Sequence, residues 1–255
     1  MTVVLLHGLG GDRQQVLSLF EPIVPVGTQL LAPDVRGHGA RDETGPADAF
    51  ELDALADDIA LQVTAAQDVD GRSAEPVTIV GISMGAAIAL RLALRRRLPI
   101  ERIVFVRPSF TDQPLPHNLR AFPVIGELLA DRGAAEGERA FLQTELYAST
   151  HAASRLGAAG LVQQFRSPRA AARAARLIEI PRSAAFDDTD DLASIDLPMA
   201  IAWAPVDPVH PVSVAELWMD ELSGAVSIPL PARDDGYSEY VAATRAGVAA
   251  WFGWD

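Results

Sequence analysis

Cysteine is absent from this 255-residue sequence. That absence excludes disulfide bridges, thiolate metal sites and a cysteine nucleophile together. Histidine is scarce: there are five, and none lies beyond His210. Positive charge is in deficit, with 21 Lys+Arg against 34 Asp+Glu and a formal net charge of −13. Such a chain is repelled by phosphate backbones and anionic lipid surfaces, so neither nucleic acid nor a membrane is an expected partner. No uninterrupted apolar run reaches the roughly 18 residues that a spanning helix needs. Met1 leads straight into Thr2-Val3-Val4-Leu5-Leu6 without a basic segment or a cleavage signal, and the expectation is a cytoplasmic protein. What is plentiful is apolar side chain, at 49% of residues. That is ample for one large core carrying an insertion.

The apolar residues fall into two periods. Short continuous runs at Thr2–Leu6, Thr28–Ala32, Val77–Val80, Arg102–Val106, Met199–Ala204 and Val226–Leu230 read as strands buried on both faces, the pattern of a parallel sheet. Between them lie stretches with helical spacing. In one, Leu52, Leu55, Ala56, Ile59 and Val63 share a face, with Asp57 and Asp58 opposite. The last helix is expected over Ser238–Phe252. Residues 111 to 190 contain no convincing strand. They read as short helices around Leu119–Ala130, Gly137–Ser149, Ser154–Phe165 and Pro168–Ile180. Strands alternating with helices imply a doubly wound parallel sheet. In such sheets ligands gather at the carboxyl ends of the strands. His7, Arg36, Ser83, Ser109 and Asp207 all lie just beyond such ends.

One stretch organises the rest. Val77-Thr78-Ile79-Val80 runs into Gly81-Ile82-Ser83-Met84-Gly85, and an Ala/Leu-rich helical run leads out. A strand, a sharp turn with serine at its tip and a helix make a nucleophile elbow. The two glycines omit side chains where strand and helix backbones crowd. Ser83 then stands at a helix N-terminus, whose free N–H groups favour developing negative charge.

With this elbow, three further segments resemble the α/β-hydrolase superfamily in its small, esterase-like, cap-bearing branch. His7-Gly8-Leu9-Gly10 resembles the oxyanion loop. Asp34-Val35-Arg36-Gly37-His38-Gly39 resembles the loop after the next strand. Asp207-Pro208-Val209-His210-Pro211 looks like the acid loop. The resemblance covers nearly the whole chain. It implies a doubly wound, six-stranded, mainly parallel sheet ordered 2-1-3-4-5-6, which is the family fold lacking its first two strands. It implies core segments at 1–110 and 191–255 around a helical cap at 111–190. It implies an acyl-enzyme serine at Ser83, an acid at Asp207, and oxyanion donors at the Leu9 and Met84 N–H groups. No cofactor and no metal are called for, and the expected partner is a small-molecule ester. The second strand would be a sheet edge, which a homodimer can cover.

The sequence departs from the family where a histidine is expected after the last strand. That region reads Pro231-Ala232-Arg233-Asp234-Asp235-Gly236. A serine hydroxyl needs a base that is itself oriented by a third group. His7 and His38 sit in Gly-rich turns that suit structural roles, and His117 and His151 lie in the cap. His210 is on the correct sheet face but two strands from Ser83, about 10 Å between backbones. Asp235, beside Asp234, is an acidic alternative, since paired carboxylates raise one another's pKa; as a plain turn it would cap the last helix. Without a base the protein is a degenerate hydrolase that binds a small ligand. A cofactor-free lyase or acyltransferase on the same fold also stays open. Arg166, Arg169, Arg173 and Arg176 recur at helical spacing. They form an anion-recognising helix stripe, ion pairs with Asp187, Asp188, Asp190 and Asp191, or a solvated face.

Overall fold

A computed structural model describes residues 1–254. The six strands are β1 (Thr2–Leu6), β2 (Gln29–Leu31), β3 (Val77–Ile82), β4 (Ile100–Val106), β5 (Met199–Trp203) and β6 (Val226–Pro229). They form one sheet in the order β2-β1-β3-β4-β5-β6, every pair parallel. This is the expected fold class and strand order. Chain direction reverses across the sheet between β1 and β3, so the crevice between the loops that follow them is the topological switch point.

Strand side chains alternate between two layers, as the period of two requires. Val3, Leu5, Val80, Ile82, Val104 and Val106 face α1 (Arg13–Phe20) and α10 (Tyr237–Phe252). Val4, Leu6, Ile79, Ile103 and Phe105 face the other way. There they pack with α2 (Leu52–Val69), α3 (Met84–Leu94) and α9 (Val212–Glu221).

The helical stretch between β4 and β5 comprises α4 (Ala121–Phe141), α5 (Glu145–Ala153), α6 (Arg155–Arg166), α7 (Ala174–Glu179) and α8 (Thr189–Ala193). Its helices differ from the sequence expectation in their breaks. The predicted division near residue 130 is a kink inside α4 at Gly133, whose φ of 71° only glycine adopts without strain. The helix predicted from Pro168 shortens to α7, preceded by a single tight turn at Ala171–Arg173. Phe122, Leu129, Phe141, Leu161, Phe165 and Leu177 are buried, and their core is continuous with that of the sheet.

Candidate active site

β3 ends in a turn that only a particular sequence can make. Ser83 has φ 55° and ψ −111°, a conformation that costs a non-glycine residue ~1–3 kcal/mol. The surroundings hold it there. Ser83 N–H donates to Val106 O at 2.9 Å, and Ser83 O accepts from Ala86 N–H at 3.0 Å. A Cβ on Gly81 would collide with the Gly85 carbonyl and lie 2.8 Å from Ala86 N. One on Gly85 would collide with the Leu6 carbonyl and lie 2.8 Å from Leu6 Cβ. Helix α3 can therefore press against β1 and β3 only with glycine at both positions.

The loop after β1 is braced by two buried histidines. His7 Nε2 accepts from Val35 N–H at 3.0 Å, and its Nδ1–H donates to Gly8 O at 2.9 Å. His38 Nε2 accepts from Gly10 N–H at 3.0 Å, and its Nδ1–H donates to Arg36 O at 2.9 Å. Burial pushes both below the ordinary histidine pKa, His38 well below it. Both nitrogens of each ring are occupied, so neither is available as a base. Among the described residues, the Leu9 and Met84 N–H groups have no protein acceptor.

Ser83 lines a cavity of about 630 Å³ together with Leu9, Arg107, Asp207, His210 and Arg233. Ser83 Oγ is 3.1 Å from Ser109 Oγ. Asp207 Oδ1 accepts from the N–H groups of Val209 and His210, at 3.1 and 3.3 Å, which folds the loop back on itself. Asp207 therefore does not cap α9, whose N-cap is Pro211. Its other oxygen, Oδ2, accepts from His210 Nδ1–H at 3.0 Å and Arg107 Nη1 at 2.8 Å, with Arg233 Nη1 at 3.6 Å. Burial opposes the Asp207 charge, but His210, Arg107 and Arg233 outweigh it and hold its pKa well below the carboxylate range. Burial also lowers the His210 pKa, with Arg107 and Arg233 adding to the effect and Asp207 opposing it. The ring turns Nδ1–H toward Asp207 Oδ2 and Nε2 away from it. Its Nε2 is buried and, among the described residues, has no hydrogen-bond partner.

The remaining candidates fall elsewhere. Asp235 is exposed and does not line the cavity. Its loop is pinned by Asp234, which accepts from Leu156 N–H at 3.0 Å and pairs with Ser154 Oγ at the start of α6. The acidic-base alternative is corrected on that ground. His117 and His151 are exposed and also outside the cavity lining. The arginine stripe is neither free nor paired with Asp187 to Asp191. Arg166 Nε donates to Glu138 Oε2 at 3.0 Å, Arg169 and Arg173 share Asp42, and Arg176 is buried against Gly37 O at 3.0 Å. Asp187 instead pairs with Arg91 at 3.1 Å. Among the described residues no group of three or more His, Asp or Glu could hold a metal ion, and no helix is long and apolar enough to cross a membrane.

The family model described as serine aminopeptidase, S33, matches residues 1–225. The chain belongs to this family of α/β-hydrolases. Over 234 residues this S33-family chain is 28% identical to a pimeloyl-[acyl-carrier protein] methyl ester esterase of Neisseria meningitidis, covering 88% of the chain and 81% of that protein. It is 29% identical over 118 residues to the AB hydrolase superfamily protein YfhM of Bacillus subtilis, 46% of the chain and only 37% of that protein. A hydrolase from Pseudomonas aeruginosa PA01 superimposes with a TM-score of 0.71 at 20% identity, over 99% of the chain and 89% of its own. That likeness concerns the fold.

Sequence reasoning did not single out Arg107 or Arg233. Arg233 sits in the loop after β6, where the resemblance implies a histidine, and it reaches the same carboxylate. A signal was present: in that loop it is the one side chain besides the two aspartates that carries charge. Arg107 gave a weaker signal, a lone cation directly after an apolar strand. Its positive φ of 49° is visible only in the structure.

Proposed function

We propose that this S33-family chain hydrolyses a small ester through an acyl-enzyme at Ser83, with His210 as general base and Asp207 as its orienting acid. The supporting observation is the Asp207–His210 pair. Asp207 holds the proton on Nδ1, so Nε2 keeps its lone pair, and that nitrogen has no other partner. The pair and the strained Ser83 line one cavity.

In this reading the Ser83 hydroxyl proton passes to His210 Nε2 as Oγ attacks the ester carbonyl. The oxyanion forms beside the Leu9 and Met84 N–H groups. Collapse expels the alcohol, which takes the proton from His210. Water, deprotonated by the same nitrogen, then releases the acid and restores Ser83. A Ser83 Oγ–His210 Nε2 hydrogen bond is absent from the resting structure, and such contacts often tighten only with substrate bound. Segments 1–110 and 191–255 supply the reacting groups. The 111–190 segment serves as a cap, with Phe122 and Leu161 forming apolar wall in the cavity. The methyl ester esterase named above is consistent with ester chemistry. The test is covalent labelling by a fluorophosphonate together with p-nitrophenyl acetate turnover. Ser83-dependent signals in both are expected, and no label on the folded protein refutes the reading.

One observation favours a second reading. The present partner of Ser83 Oγ is Ser109, and the loop after β6, where the family histidine is implied near Asp234 or Asp235, brings Arg233 to Asp207 instead. A degenerate hydrolase that only binds its ligand would show ligand affinity with no ester turnover.

A further inference from the structure

A second cavity, of about 310 Å³, lies between α1 and α10 and shares Gln15, Ser18, Ile82, Arg107 and Arg233 with the first. Ile82 precedes Ser83 in the chain, so the two cavities meet beside the elbow. Three arginines line the smaller one, Arg107, Arg233 and Arg245, and no carboxylate does. Arg107 and Arg233 share the single carboxylate of Asp207, at 2.8 and 3.6 Å, and among the described residues Arg245 pairs with no carboxylate, in a protein whose formal net charge is −13.

The guanidinium groups are incompletely used. Arg107 Nε and Arg233 Nε are buried and, among the described residues, lack a hydrogen-bond partner. Arg245 spends Nε and Nη2 on Leu19 O and Ser18 O, both at 2.8 Å. Among the described residues its Nη1 has no partner. Tyr240 forms a floor, its ring centroid 5.6 Å from Arg107 Cζ and 5.9 Å from Arg233 Cζ. Buried donors without acceptors are costly, and guanidinium forks pair best with the two oxygens of an oxyacid.

We propose that this arginine pocket binds an oxyanionic group, a carboxylate or a phosphate, at the far end of the ester that Ser83 cleaves. The proposal rests on the hydrolase reading for its link to the ester; the anion site itself does not. The substrate would be a half-ester or ester phosphate whose anion enters between α1 and α10 while its carbonyl reaches Ser83. Arg233, from the loop in which the family histidine is implied, then serves recognition of the substrate.

The experiment has a binding arm and a turnover arm. In the Ser83→Ala protein, calorimetric titration with glutarate, inorganic phosphate and neutral glutaramide measures the site without turnover. Binding of glutarate or phosphate, weakened about tenfold or more by Arg245→Gln and by Arg233→Gln, is the expected result. Whichever anion binds identifies the source. Arg245→Lys, which keeps the charge, recovers part of the affinity and separates loss of recognition from loss of fold. Glutaramide binding as tightly as the anions, no binding of either anion, or anion binding indifferent to both substitutions overturns the proposal. In the turnover arm the wild-type protein is given monomethyl glutarate and methyl butyrate. A kcat/KM ratio favouring the half-ester, and falling in Arg245→Gln, ties the pocket to the substrate; cleavage of both with no preference breaks that tie. Anion binding with neither ester cleaved sinks the hydrolase reading and leaves the site standing.

Discussion

Replacing His210 by glutamine tests the proposed base most directly. Glutamine keeps a side-chain donor for Asp207 Oδ2 but cannot accept a proton as imidazole Nε2 does. The ion pairs of Asp207 with Arg107 at 2.8 Å and Arg233 at 3.6 Å remain in place, as do the Ser83 backbone and the free N–H groups. The fold should therefore lose no more than one charge-assisted hydrogen bond, ~1.5–3 kcal/mol. The rate should lose far more. Removing the histidine of such a triad costs ~10⁶ in turnover, or about 8 kcal/mol of transition-state stabilisation at ~1.4 kcal/mol per decade. The assay is kcat/KM for p-nitrophenyl acetate, with fluorophosphonate labelling rates measured in parallel, since both need the same proton removed from Ser83. In the wild type the acid limb of the kcat/KM profile should fall below the ordinary histidine value, because burial lowers the His210 pKa. A His210→Gln protein that keeps more than a tenth of wild-type kcat/KM, while Ser83→Ala is inactive, refutes His210 as the base.

Three other outcomes follow from the same geometry. Gly85→Ala should lower the urea midpoint by several kcal/mol's worth or prevent folding, because the new Cβ meets Leu6 backbone that cannot retreat; a near-wild-type midpoint contradicts that packing. Stability should fall as pH drops from 7.5 to 5. His7, His38 and His210 all have folded pKa values below the unfolded ~6.5, so the unfolded chain binds more protons there. Each histidine contributes a slope of up to about 1.4 kcal/mol per pH unit, while Asp207 adds its share only below about pH 4. Flat urea midpoints across that range would contradict neutral, buried histidines. Arg176→Met should leave stability unchanged or raise it by a few kcal/mol. Burial, with Arg173 nearby, lowers its pKa to about 10, and among the described residues it has no carboxylate partner; apolar replacement removes that desolvation. A large loss in thermal denaturation would show that its bond to Gly37 O outweighs the buried charge.

The parts legible in the sequence are those written locally. Val3 and Val4 belong to different layers because adjacent strand residues must point apart, and Gly81 and Gly85 flank Ser83 because the elbow leaves no room for a Cβ. Strand order came from the family resemblance that these local motifs carry, and the sheet has it. What the sequence could not reveal depends on contacts between distant residues. Arg107 and Asp207 are 100 positions apart, Ser83 and Ser109 are 26 apart, and no periodicity encodes such pairings. The same holds for the four arginines: they do not share one helix face, since Arg166 ends α6, Arg169 and Arg173 lie in the turns after it and Arg176 is in α7, and the partners Glu138 and Asp42 come from other elements.

The sequence by itself determined a parallel α/β sheet, a serine held at its switch point and the lack of a histidine after β6, because each of these is a matter of residue type, local sterics or position along the chain. Only the tertiary structure decided what surrounds Asp207. Burial gathers His210, Arg107 and Arg233 around one carboxylate, and in a low-dielectric cavity the company a charge keeps sets both its protonation and its use.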